Sequence, residues 1–168
     1  MNFVTYGGVT VGLCILGYQL ATWWPGLPAL KKKPQAHVGR LLPFLFGWAY
    51  GVLAILGVGG LIGWVADTAL WISNWLGDAA LVWGVGGTTG QSATGSNYLP
   101  LTQTGTGVLL ILTIVMTAMV KKSSYGLPLQ LGTWCGVCLG TSAGVAGFAA
   151  VPLAQAANRI GDTVYGAL

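Results

Sequence analysis

The chain has 168 residues, 54% of them hydrophobic and only 6% charged, with a mean hydropathy of +0.73 and a formal net charge of +4. A soluble domain carries about 25% charged residues, so this composition argues against an ordinary water-soluble fold and predicts a membrane protein. The sequence has no Glu and a single His, which removes chemistry built on paired carboxylates or a His-rich metal cluster. No catalytic residue and no metal ligand set is therefore expected, and no cofactor beyond bound lipid.

The formal charges are Lys31, Lys32, Lys33, Arg40, Asp67, Asp78, Lys121, Lys122, Arg159 and Asp162. They leave residues 1–30, 41–66, 79–120 and 123–158 uncharged, and each stretch exceeds the roughly 20 residues a spanning helix needs. Runs such as Leu53-Ala54-Ile55-Leu56 are apolar on every side, which does not suit the in-out alternation of a membrane β-strand. The expectation is one all-α polytopic domain over 1–168, with four spans at about 3–24, 42–66, 98–120 and 129–151.

In chain order, the first span ends on Trp23 and Trp24. Met1-Asn2-Phe3 lacks the basic start of a cleaved leader, so this span is expected to stay. Lys31, Lys32, Lys33 and Arg40 follow, with His37 as a solvated loop residue. The second span carries Gly47, Gly51, Gly59 and Gly63, with Ile55 in the missing place of a four-residue ladder, and Trp64 near its end. Residues 68–84 put Trp71, Trp75, Ala79 and Trp83 on one helical face and Ser73, Asn74, Gly77 and Asp78 mostly on another, a pattern that suits a helix lying in the headgroup layer. An uncharged outer loop of Gly, Thr, Ser, Gln and Asn occupies 84–107. After the third span come Lys121 and Lys122. The fourth carries Gly132, Gly136, Gly140 and Gly144, and a polar C-terminal helix follows in which Arg159 and Asp162 can pair.

Basic residues flanking membrane helices stay on the cytoplasmic side. Lys31–Lys33 and Arg40 lie between spans one and two, and Lys121 and Lys122 between spans three and four, so both loops are expected inside and both termini outside, in a bacterial cytoplasmic membrane. Trp23, Trp24, Trp64, Trp71, Trp75 and Trp83 are expected as interfacial anchors. The cationic loops would touch anionic lipid. Repeated around a ring, they would attract DNA or a cytoplasmic motor.

Spans associate where small residues let backbones approach, and residues four apart share a helix face. The two ladders are therefore expected to pack helix on helix, within one bundle or between subunits. The run of Gly132, Gly136, Gly140 and Gly144 resembles the glycine zippers of homo-oligomeric channels and pore formers. That resemblance implies a homo-oligomer with the fourth span at or near the subunit interface.

Cys14 stands alone in the first span, while Cys135 and Cys138 share the fourth. Trp134-Cys135-Gly136-Val137-Cys138 resembles the redox site of thioredoxins, with Val137 where that family usually has Pro, but it lies in an apolar span instead of a βαβ setting. In a four-helix membrane setting the pair is similar to the DsbB and vitamin K epoxide reductase type of thiol oxidase, which passes electrons to a quinone. Those families also use a second, outward cysteine pair, and 68–107 contains no Cys. The leading expectation is a non-enzymatic subunit of a homo-oligomeric membrane pore or translocation channel, with part of a DNA-transfer or secretion apparatus as one form of it. Its alternatives are a membrane thiol oxidoreductase using Cys135 and Cys138, and a phage holin-like pore former.

Overall fold

The computed structural model describes residues 3–24, 39, 41–57, 59–88, 90–95, 99–121 and 125–167. Among them the chain is all-helical, with α1 (Tyr6–Trp23), α2 (Leu42–Leu56), α3 (Gly60–Val85), α4 (Gln103–Val120), α5 (Gly126–Gly140) and α6 (Val145–Gly166), and no strand beyond two isolated bridges. Thr5 starts α1 and Thr102 starts α4 in the same way. Each hydroxyl accepts the amide three residues on, Gly8 and Gly105, at 3.2 Å, and so satisfies one of the unpaired donors of the first turn. Pro43 opens α2, where its missing N–H costs nothing.

The expected second span over 42–66 is not one helix. It ends at Leu56, and α2 and α3 meet at 105°. The cause is the backbone between them: Gly57 is extended (φ −66°, ψ 122°), and Gly59 and Gly60 take φ of +83° and +74°, values that favour glycine and cannot continue a right-handed helix. Residues 60–66 instead join the expected surface helix 68–84 as one helix, α3, of 26 residues. The expected fourth span over 129–151 is likewise interrupted. It divides into α5 and α6 at 141–144, where Ser142 donates both its amide (3.1 Å) and its hydroxyl (2.8 Å) to the Leu139 carbonyl. With these breaks, α4 alone among the described helices is long and apolar enough to cross a membrane, or two spans result if α2 and α3 are counted as one bent span.

The chain after α3 is stapled in place. The Tyr6 amide donates to the Gln91 carbonyl (3.1 Å) and the Ala93 amide to the Val4 carbonyl (2.8 Å). The Gly95 amide donates to the Thr141 carbonyl (2.9 Å) and the Ala143 amide to the Ala93 carbonyl (2.8 Å). Residues 91–95 therefore lie between the entry to α1 and the α5–α6 break. This satisfies backbone groups of both irregular segments at once.

The core sits on α2, nine of whose fifteen residues are buried, Val52 and Ile55 completely. By contrast α4 buries only Gly105, Leu109 and Met116, leaving Leu110, Ile111 and Ile114 exposed. Helix, broken helix, helix again and broken helix follow in order, so 6–85 and 103–166 repeat one plan. The relation between the halves is set by α2 and α5, which run parallel and in contact.

Candidate functional site

The most closely packed part of the molecule is the contact between α2 and α5, and glycine makes it possible. A methyl group at Gly47 would fall on the Leu129 carbonyl, and one at Gly51 on that of Thr133. From the other side, Gly132 faces the Phe44 carbonyl and Gly136 that of Trp48. The contacts mirror each other residue for residue, so the helices are related by an approximate two-fold axis running along them. At this separation Cα–H groups and carbonyl oxygens are in direct contact. Gly140 extends the contact, its Cβ position 2.9 Å from Ile55 Cγ2.

The ladders are shorter than their spacing implied. Gly144 is the N-cap of α6 instead of a fourth rung on α5. Gly59 caps α3, and Gly63 faces the Gly57 carbonyl, 2.9 Å from its Cβ position. What remains, Gly47 and Gly51 against Gly132, Gly136 and Gly140, is occupied within the chain.

A second duplicated feature has no counterpart among the sequence expectations. Asn74 and Asp78 on α3 grip the start of α1: Asn74 Oδ1 accepts the Thr5 amide (3.1 Å), its Nδ2 donates to the Phe3 carbonyl (2.8 Å), and Asp78 accepts the Gly7 amide (3.2 Å). Asn158 and Asp162 on α6 grip the start of α4: Asn158 Oδ1 accepts the Thr102 amide (3.0 Å) and hydroxyl (3.1 Å), and Asp162 accepts the Thr104 hydroxyl at 2.6 Å. Both carboxylates lie at a helix N-terminus, where the macrodipole favours negative charge. Gly77 lies on Gly7 and Gly161 on Thr104, with backbones touching. Asp162, expected beside Arg159, is thus engaged by Thr104. The signal was present in the sequence as Asn-x-x-Gly-Asp at 74–78 and 158–162, and Thr-x-x-Gly at 5–8 and 102–105.

Cys135 and Cys138 are both fully buried and both are free thiols. The Cys135 thiol lies 3.4 Å from the Gly12 carbonyl of α1, and the Cβ position of Gly12 is 3.0 Å from Cys138 Cβ. Beside them the Trp134 indole donates to Ser73 (2.8 Å), whose hydroxyl donates to the Ala69 carbonyl (2.7 Å). Thiol exchange needs an accessible thiolate, and this enclosure withholds it. Cys14 is exposed on α1. Among the described residues no three His, Cys, Asp or Glu side chains come together as a metal site.

Trp64, Trp71 and Trp75 line an exposed edge of α3, Trp83 is 90% exposed near its end, Trp24 is exposed after α1, and Trp23 is partly buried. Lys121 follows α4 as an exposed C-cap. Lys31, Lys32, Lys33, Arg40 and Lys122 lie outside the described residues.

Two clefts flank the α2–α5 pair. One, of about 560 Å³, lies between α3, α4 and α5 and reaches Ala54 and Thr133; the other, of about 740 Å³, lies beside α1 and reaches Trp48 and Leu139. Those residues correspond under the two-fold, so the clefts are the two versions of one groove. No family model, no curated protein and no solved structure matches the chain.

Proposed function

We propose that the chain is a polytopic membrane protein with a conductive, non-enzymatic role, the subunit of a homo-oligomeric membrane pore or translocation channel. The observation that carries this reading is the pair of broken helices, α2–α3 and α5–α6, at corresponding places in two repeated halves. Discontinuous helices in matching positions of internal repeats, including parallel repeats about an axis along the membrane normal, are a recurrent architecture of membrane transport proteins.

Burial supports placement in lipid. Only 17% of α4 is buried within the chain, whereas a soluble fold would enclose so apolar a helix. At 1.5 Å per residue α4 is about 27 Å long, close to the roughly 30 Å of a bilayer core. The fifteen-residue α2 and α5 reach only about 22 Å, so each would approach from one face as a short helix. Both Asn/Asp clamps lie at the end of the bundle where α1 and α4 begin, and Lys121 lies at the opposite end. By the retention of cations inside, the Lys121 end is cytoplasmic and both termini are outside. The exposed Trp side chains of α3 then anchor it at the outer surface, and the basic loops face lipid, DNA or a motor within.

Packing bears on where a lumen could lie. The approximate axis is closed by glycine-to-carbonyl contact, so one chain encloses no lumen along it, and a pore of this kind forms between copies or along the flanking clefts. Its subunit contacts would use exposed apolar faces such as that of α4 more than the occupied glycine ladders. Size determination in mild detergent together with conductance in planar bilayers tests this reading. A multiple of the 17.3 kDa chain mass that carries ionic current is expected; a monomer that carries none overturns it.

A further inference from the structure

We propose that the cleft between α3, α4 and α5 holds one acyl chain of an anionic phospholipid, with the headgroup at Lys121 and Gln130. The inference rests on placement in a membrane and is independent of pore formation. One wall is a stripe of α4, Thr113, Met116 and Val120, spaced at helical turns. The opposite wall is α3, where Ala66 and Ala69 leave the space open. At about 560 Å³ it falls within the roughly 300–1,000 Å³ of ligand-binding clefts.

The hydroxyl and indole protons of the wall decide what can lie in it. Thr113 donates to the Leu109 carbonyl (2.8 Å), so the 3.0 Å contact with Tyr50 is a bond from the tyrosine to Thr113. Thr133 donates to the Leu129 carbonyl (3.0 Å). Trp134 donates to Ser73, and Ser73 to the Ala69 carbonyl. Every one of these protons ends, directly or through a second hydroxyl, on a helix carbonyl, so the wall offers no free donor to a polar solute or an anion. An apolar chain needs none.

One end is different. Gln130 lines the cleft with an exposed side chain. The start of α5 meets the end of α4 there, the Cβ position of Gly126 being 3.1 Å from the Val120 carbonyl. Lys121 directly follows Val120 and is exposed; Asp78 and Asp162 are held at the far end of the bundle by the clamps, and Asp67, on α3 between Ala66 and Ala69, has one carboxylate oxygen buried and unpartnered. An acyl chain gains little by leaving other acyl chains for an apolar groove, so selection falls to the head. An amide in the lining and an exposed cation one residue beyond the lining residue Val120 favour a phosphate carrying net negative charge.

The full chain is incorporated in nanodiscs of equal phosphatidylglycerol and phosphatidylcholine, released in mild detergent, and examined by native mass spectrometry for retained lipid. One phosphatidylglycerol per chain is expected, preferred about fivefold, the factor that roughly 1 kcal/mol per cation near a charged surface corresponds to. Lys121→Gln brings the two lipids to parity, and Ala69→Phe, which fills the cleft, removes both. Should Ala69→Phe fail to fold, Val65→Trp blocks the same space from a side chain already 53% exposed. The proposal is overturned if the wild type retains neither lipid, if it retains both equally, or if the folded blocking variant keeps its lipid. A conducting oligomer without retained lipid overturns the lipid site alone; a chain that does not enter the bilayer overturns both readings.

Discussion

Asn158 accepts the Thr102 backbone amide at 3.0 Å, and through that bond the C-terminal helix holds the first turn of α4. Asn74 does the same for Thr5 and α1 at 3.1 Å. The two clamps lie far apart in sequence yet have the same chemistry, which is why the halves of this chain read as copies of one structural unit.

Removing a clamp leaves backbone groups without their partner. Asn158→Ala and Asn74→Ala are each expected to destabilise the fold by about 0.5–1.5 kcal/mol, the net contribution of a hydrogen bond that solvent can partly replace, measured by denaturant unfolding in detergent. The two changes share no partner, so in the double variant the losses should add to within roughly 0.5 kcal/mol.

Gly51→Ala and Gly136→Ala place a methyl group on a facing carbonyl and must push α2 from α5. Losses of about 1–3 kcal/mol are expected, as for overpacking a tight core. Gly17→Ala and Gly84→Ala add a methyl group where nothing lies within 4 Å, and both sites are helical. These two should stabilise by up to about 1 kcal/mol. Equal effects at all four positions would contradict the packing described.

Because Gly140 faces Val52 and Ile55 of its own chain, Gly140→Leu is expected to unfold the subunit before it alters assembly. Thermal unfolding of the variant should shift downward at a detergent concentration where its oligomer size is unchanged. Loss of the oligomer with unaltered subunit stability would show that this rung serves another copy.

The thiols should differ in reactivity. A membrane-permeant maleimide is expected to label Cys14 readily, and Cys135 and Cys138 only after unfolding, since both are enclosed by α1 and Ser73. Mass spectrometry of the labelled chain reads this directly, and one, not three, adducts should form under native conditions.

Gly59, at φ +83°, is where a side chain is strained whatever the space around it. Gly59→Ala should cost roughly 1–2 kcal/mol, against a gain at Gly84. Unfolding midpoints of the two variants compared side by side test whether the turn between α2 and α3 depends on this backbone conformation.

The helices themselves were legible from composition and spacing. The apolar runs that set the expected spans 3–24 and 98–120 contain α1 and α4, which end within a residue of those bounds and start three and five residues inside them, at the capping threonines. The places where helices stop were not legible. Gly59 and Gly144 keep the four-residue spacing of a ladder, and only backbone dihedrals distinguish a rung from a cap. Which face meets which was also hidden: Gly47 and Gly132 show that backbones can approach, but no local rule says that α2 pairs with α5 in parallel, or that Asn-x-x-Gly-Asp reaches back to Thr-x-x-Gly. Those choices depend on satisfying carbonyls, amides and small-residue gaps from distant parts of the chain together, and that balance exists only once the helices are packed.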